Sequence, residues 1–364
     1  MTTADYAIIG AGMAGASIAA ELARHASIVV LEAEDQPGYH ATGRSAAFWE
    51  ETYGGPHITP LTIASGPFLR KNGFLKPRGA LYIARHQERG ALDAHFARFA
   101  GKGVAMERLD TASLHTKLPG LREDWNQAVW QPECADIDVG GLHAHYMGVA
   151  KSAGAQLLSS ARIISIARER TQWRLTTQDG REIYAKRIVN AAGAWADEVA
   201  TMAGIAPVGI TPFRRTVVQL RTDPAPNIDM PLVLDISGQF YFKPENGRLW
   251  LSPHDEVPSM PCDTAPEELD VAQAVARFEQ VMDWRALQVE RKWAGLRSFA
   301  PDRLPVYGPD PADRDFIWFA GQGGFGIQTA PAAAAVLAGQ LIADAGSVNV
   351  SAIVARQFSP HRFG

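Results

Sequence analysis

A chain of 364 residues leaves room for two domains or one large mixed domain, and its 46% hydrophobic and 20% charged content can fill a sizeable core. The formal net charge of -4 comes without any basic block, which argues against a nucleic-acid partner. The two cysteines, Cys134 and Cys262, form no metal-type cluster and suit a reduced, cytoplasmic setting; the opening residues do not read as a secretory leader, and no apolar run has the length of a transmembrane segment.

The first elements are the most informative. Asp5 to Ile9 reads as an apolar strand that enters Gly10-Ala11-Gly12-Met13-Ala14-Gly15 and then a small-residue helix. A second strand follows, Val29-Val30-Leu31, and it ends in Glu32. Each glycine has a task in such a turn. Gly10 permits the tight bend, Gly12 lets the backbone approach a pyrophosphate, and Gly15 lets helix and strand pack closely. Phosphates sit on the helix N-terminus, where unpaired N–H groups and the dipole favour negative charge. Glu32 can accept hydrogen bonds from a ribose diol. Strand, turn, helix, strand and acid together point to dinucleotide binding.

Gln36 to Ser45 then reads as a long loop rich in breakers. The patterns predict helices over 59–72 and 87–101, a strand over 78–85, and a helix over 140–154 with Asp136 and Asp138 as its caps. Strand 156–166 and a hairpin, 173–177 with 181–185 around Asp179-Gly180, come next. Strand 186–191 runs into Ala192-Gly193-Ala194-Trp195. Beyond residue 207 prolines become frequent and strands dominate: 213–220, 231–235, 239–243 and 248–251, with a helix near 266–282. Strand 315–320 leads into Gly321-Gln322-Gly323-Gly324-Phe325-Gly326 and an alanine-rich helix. His143 and His145, two apart on a predicted helix, face different directions and do not suit a metal site. Trp49, Trp293 and Trp318 are expected to pack.

Five stretches stand in a consistent order: Gly10 to Gly15, His40-Ala41-Thr42-Gly43-Arg44-Ser45-Ala46-Ala47, Val189 to Trp195, Trp293-Ala294-Gly295-Leu296-Arg297-Ser298-Phe299, and Gly321 to Gln328. In that order they resemble the FAD-dependent D-amino-acid oxidases and dehydrogenases of the DAO superfamily, over essentially the whole length. Within that superfamily the pattern is most similar to the bacterial D-arginine dehydrogenases. The resemblance implies an α/β fold with an α+β insert: a Rossmann-like FAD-binding domain (1–76, 135–206 and 291–364) interleaved with a mainly antiparallel β substrate domain (77–134 and 207–290).

It also implies residue roles. FAD, held non-covalently because no cysteine adjoins the Arg297 segment, is expected on Gly10, Gly12, Met13, Ala14, Gly15, Glu32 and Ala33 at its ADP half. Arg44, Ser45, Ala46 and Ala47 continue past the pyrophosphate, and Ile163 or Ile164 offers backbone bonds to adenine. Ala191, Ala192, Gly193 and Trp195 follow the middle strand. Gly323, Gly324, Phe325, Gly326, Ile327 and Gln328 lie with Arg297 beside the flavin ring. A guanidinium reads a carboxylate with two parallel hydrogen bonds, so Arg297 and Arg214 are expected to clamp the substrate carboxylate. Only one of Arg214 and Arg215 can face the site, because consecutive strand residues point to opposite sides. Tyr241 and the gating Tyr53 complete the catalytic set, and Phe48, Glu50, Ala80 and Gly324 the substrate pocket. Phe48 and Ala80 stand where the arginine dehydrogenases carry a histidine and a glutamate, which favours a neutral or apolar side chain, whereas Glu50 on the same loop offers a relocated carboxylate.

The expected activity is oxidative deamination of a D-amino acid by hydride transfer from Cα, with oxygen or a quinone-type molecule as an open choice of acceptor. An oxidase of glycine, sarcosine or another secondary amine, a 2-hydroxyacid dehydrogenase, and a nucleotide-binding protein without turnover stand as alternatives on the same fold.

Overall fold

The computed structural model describes residues 2–343, 345–351 and 353–363. Its organising layer is an eight-stranded sheet. Strand Thr2–Ile9 lies between two parallel neighbours, Ile28–Leu31 and Glu182–Asn190, and Glu182–Asn190 pairs in turn with Phe316–Ala320. Alternation sends Ile8, Val30 and Val189 to one face and Ile9, Leu31 and Ile188 to the other, and both sets are buried. A parallel sheet covered on both faces needs that pattern. Helices Met13–Leu22, Val139–Ser152 and Gly326–Leu341 pack together on one side.

The second sheet has nine strands and is antiparallel except where Leu232–Asp235 runs alongside Ala80–Arg85. Its longest ribbon pairs Thr211–Asp223 with Arg285–Phe299. Residues 291–299 thus hydrogen-bond into this sheet, although the family pattern places them with the nucleotide part. A short three-stranded sheet, Phe48–Trp49, Ala135–Ile137 and Leu75–Pro77, bridges the space between.

Three expectations need correcting. The strands expected over 181–185 and 186–191 are one strand, Glu182–Asn190. The strand over 156–166 is two strands, Gln156–Leu158 and Ile163–Glu169, at opposite edges of the first sheet. The chain crosses at Ser160, where φ is +48°, and Ser160 and Ala161 donate to the carbonyls of Glu34 and Glu32. Asp138 does cap its helix, accepting from Gly141 N–H at 2.8 Å, but Asp136 is held by Arg78 and Lys243.

Candidate active site

The first glycine turn is built as its spacing suggests. Gly10 has φ of +99°, and a Cβ on it would stand 2.6 Å from the Ala191 carbonyl oxygen. A Cβ on Gly15 would stand 1.8 Å from the Gly10 carbonyl oxygen, so the helix can lie on the strand only without that atom. The helix N-terminus opens onto a cleft of about 380 Å³ lined by Gly10, Gly12, Met13 and Ala14. Its first-turn N–H groups have no intrahelical acceptors; Met13 N–H donates to Thr42 Oγ1 from the breaker-rich loop at 2.9 Å.

The cleft also holds Glu32, Ala33 and Ile163. Glu32 is 8% exposed and accepts from Ala11 N–H at 2.9 Å and Glu34 N–H at 3.0 Å. Ala191, Ala192, Gly193 and Trp195 line it too, as do Gly323, Gly324, Gly326, Ile327 and Arg297. Helix Gly326–Leu341 therefore also starts at the cleft. A carboxylate for a ribose and two helix N-termini, one for a pyrophosphate and one for a ring that gains negative charge, suit FAD in chemistry.

Several expected cofactor contacts lie elsewhere. Gly15 does not line the cleft; it serves packing. Strand alternation turns Ile164 outward, 55% exposed, and leaves Ile163 at the cleft. Phe325 is buried against Phe299 with ring centroids 6.2 Å apart. Ser45, Ala46, Ala47 and Gln328 line a separate small chamber. Arg44 does line the cleft, but Asp263, the Thr264 carbonyl and the Ala294 carbonyl already occupy its guanidinium.

The chamber measures about 20 Å³, and its other walls are Phe48, Tyr53, Tyr241, Arg297, Gly324 and Ile327. Arg297, Gly324 and Ile327 line both cavities, so the two adjoin there. Three aromatic rings form a cage, with Phe48 5.3 Å from Tyr53 and 5.8 Å from Tyr241. Gln328 fixes the Tyr53 segment: its amide donates to the Tyr53 carbonyl at 3.2 Å and accepts from Glu50 N–H at 3.1 Å. A Cβ on Gly324 would stand 2.4 Å from the Tyr53 hydroxyl.

Arg297 Nε is buried, and among the described residues it has no hydrogen-bond acceptor. Strand register decides its companion. Phe213 pairs with Arg297 and Arg215 with Gly295, so Arg215 and Arg297 share a face, while Arg214 pairs with Leu296 on the other. The register therefore puts Arg215, and not the expected Arg214, on the face of Arg297, although Arg215 lines neither cavity. Arg214 binds Glu267 and Asp270 and lies 3.8 Å from Asp255. Arg215 is 2% exposed and within electrostatic reach of Tyr53 and Tyr241. Its Nε donates to the Asp255 carbonyl at 2.8 Å and one terminal nitrogen to Glu256 at 3.0 Å, while the other, also buried, has no acceptor among the described residues.

The remaining pocket candidates sit behind the chamber. Glu50 is fully buried, and its carboxylate accepts from Thr52 N–H, Thr52 Oγ1 and Tyr82 OH at 2.8–3.0 Å. Burial pushes its carboxyl above the usual range despite those donors. It therefore does not present a free carboxylate to the chamber. Ala80 is buried in the same cluster as Phe48 and Tyr241 and is not a chamber wall.

His254 went unnoticed in the sequence. It packs edge-on to Tyr241 at 5.7 Å, has φ of +57°, and donates from Nδ1 to the Gly238 carbonyl at 2.8 Å. Burial and the charges of Arg215 and Arg297 push its imidazole down to about 3, so it is neutral at ordinary pH. The nearest sequence signal was its position 13 residues after Tyr241, which carries no chemistry by itself. His143 Nε2 lies 2.8 Å from the Ala11 carbonyl, and His145 packs on Phe68 and Phe74. Trp49 and Trp318 are buried in cores, as expected.

Comparison with known proteins agrees with this geometry. The DAO family, FAD dependent oxidoreductase, matches residues 5–340. Among curated proteins, the bifunctional protein ThiO/ThiG of Synechocystis is 28% identical over 100% of this chain, which spans only 54% of that protein. Among solved structures, L-proline dehydrogenase from P. horikoshii superposes with a TM-score of 0.86 at 22% identity, covering 100% of this chain and 98% of its own. Glycine oxidase from Geobacillus kaustophilus superposes with a TM-score of 0.83 at 22% identity, covering 97% and 98%. These names do not single out the arginine-oxidising branch. The family match over nearly the whole chain, joined to a cleft lined by an acid and by two helix termini, makes this protein a member of the DAO family of FAD-dependent oxidoreductases, with FAD as its cofactor.

Proposed function

We propose that the protein oxidises a small neutral α-amino acid, of D configuration where it has a side chain, to the imino acid, which water converts to a 2-oxo acid and ammonia. The single observation that carries this reading is Arg297, a guanidinium with a buried, partnerless Nε at the junction of cleft and chamber. FAD, when bound, accepts the hydride that leaves Cα. The protein supplies the rest. Arg297 and Arg215 take the carboxylate, which fixes the plane of the substrate and turns its Cα–H toward the cleft. The described chamber walls include no carboxylate, so the ammonium proton leaves to water before the hydride departs. The Tyr53 segment shuts bulk solvent out and strengthens the electrostatics inside.

Charge selects the substrate class. Two guanidiniums, together with a Glu50 already satisfied by Thr52 and Tyr82, disfavour a cationic side chain, whose burial without a carboxylate is costly. The D configuration rests on the motif resemblance. A second reading, an N-methylated glycine such as sarcosine, is favoured by the cage of Phe48, Tyr53 and Tyr241, since aromatic faces attract alkylammonium groups.

Anaerobic titration of the yellow protein tests both. Glycine and D-alanine should bleach the flavin, and D-arginine should not. Bleaching by D-arginine alone would overturn the charge argument. Bleaching by sarcosine alone would select the second reading, and bleaching by 2-hydroxyacids alone would replace both.

A further inference from the structure

Residues 259–267 run between two anchored elements without regular structure. On one side, Val257–Pro258 pairs with Arg214 and Phe213, and Ser259 N–H donates to the Pro212 carbonyl at 3.0 Å. On the other, helix Glu268–Val281 begins, and Arg214 grips Glu267 and Asp270. Pro258, Pro261 and Pro266 stiffen the span between these points. Its middle reaches the cofactor cleft, where Cys262 and Thr264 form part of the lining.

The loop that carries Tyr39 and Arg44, both also lining residues, meets this span at the cleft. Side chains alone join the two: among the described residues no backbone hydrogen bond links 36–45 to 259–267. Arg44 forms an ion pair with Asp263 and donates to the Thr264 carbonyl at 3.1 Å. Tyr39 OH donates to the other Asp263 oxygen at 3.1 Å, and the Arg44 guanidinium lies 5.0 Å from the Tyr39 ring centroid. The Arg44 side chain is 15% exposed and that of Asp263 59%. The junction is therefore half wet, held by a few charge-assisted bonds, and able to part without breaking a strand.

We propose that residues 259–267 are a clasp over the cofactor cleft, that Arg44, Asp263 and Tyr39 are its bolt, and that this bolt sets how fast FAD enters and leaves. Asp263 and Tyr39 are then cofactor-retaining residues, and Arg44 acts by closing the clasp and not as a phosphate ligand. The assignment rests on FAD occupying this cleft, which the colour of the purified protein checks separately.

Cys262 provides the readout. Of the two cysteines, Cys134 is 2% exposed, whereas Cys262 is exposed and lies in the cleft lining. Alkylation of the native protein by a maleimide should label Cys262, and FAD should slow that labelling. Asp263→Ala should raise the FAD dissociation rate by about tenfold, the scale of one charge-assisted hydrogen bond, and should speed labelling of the FAD-bound protein. Tyr39→Phe should do the same more weakly, and salt should accelerate release from the native protein but not from Asp263→Ala. If Asp263→Ala fails to fold, Tyr39→Phe and the salt dependence of the native protein decide. Native rates of FAD release in the variants, with equal Cys262 labelling in the presence and absence of FAD, would overturn the clasp.

Discussion

The arginine pair at 214 and 215 shows how much one register position decides. On the proposed reading, Arg297→Ala and Arg215→Ala would each remove a charge-assisted bond to the substrate carboxylate, a loss of about 1.5–3 kcal/mol. KM should rise roughly 10- to 100-fold in each, with FAD retained and the affinity for a simple carboxylate inhibitor falling in parallel. Arg214→Ala should leave KM near its native value and instead lower the melting temperature, because it strands Glu267 and Asp270 without their cation. Equal KM effects at 214 and 215 would refute the register argument. A second prediction concerns Glu51, which is 8% exposed. Burial, then the charges of Glu50 and Glu133, push its carboxyl up to about 7 from a usual 4.5. The folded state thus binds this proton more tightly than the unfolded chain does. Its contribution favours folding at low pH and is lost as pH rises between 4.5 and 7. Glu51→Gln should therefore raise the melting temperature at pH 8 and change it little at pH 5.

Elements built from local contacts were legible; those built from distant pairing were not. The first glycine turn was readable because its strand, bend and helix lie within about 20 consecutive residues, although only Gly15 answers to a near neighbour, Gly10, while Gly10 itself meets Ala191 and Gly12 meets Thr42. Gly15→Ala tests that reading directly: with a Cβ 1.8 Å from the Gly10 carbonyl oxygen, the helix must lift from the strand. The expected product is a colourless, less stable protein whose melting temperature no longer responds to added FAD. By contrast, the choice of Arg215 over Arg214 follows from pairing with residues 295 and 297, some 80 positions on, which no local period reports. Strand Trp125–Gln131 escaped notice for a similar reason: its buried positions are Trp125, Ala128, Val129 and Gln131, which do not alternate. Glu50 looked like a pocket acid because it shares a loop with Phe48 and Tyr53, but Tyr82, from another strand, claims its carboxylate.

At the scale of the whole molecule, the cofactor cleft draws its lining from residues 9–14, 31–44, 161–163, 191–202, 262–264, 295–298 and 322–327. Those segments come from both large sheets and from loops that meet only in the folded chain, so a molecule bound there ties distant parts together. Anything that binds the folded state and not the unfolded one adds stability by mass action, about 2.7 kcal/mol at a hundredfold excess over its dissociation constant. For a chain of this size that amounts to a rise in melting temperature of about 5 °C. Stripping FAD should lower the melting temperature by that order, and adding it back should restore both the temperature and the colour. Riboflavin should restore little, because it lacks the pyrophosphate and ribose that the first helix terminus and Glu32 are placed to hold. A melting temperature indifferent to FAD, or equally responsive to riboflavin, would mean that the cleft between Glu32 and Arg297 is not where the cofactor sits.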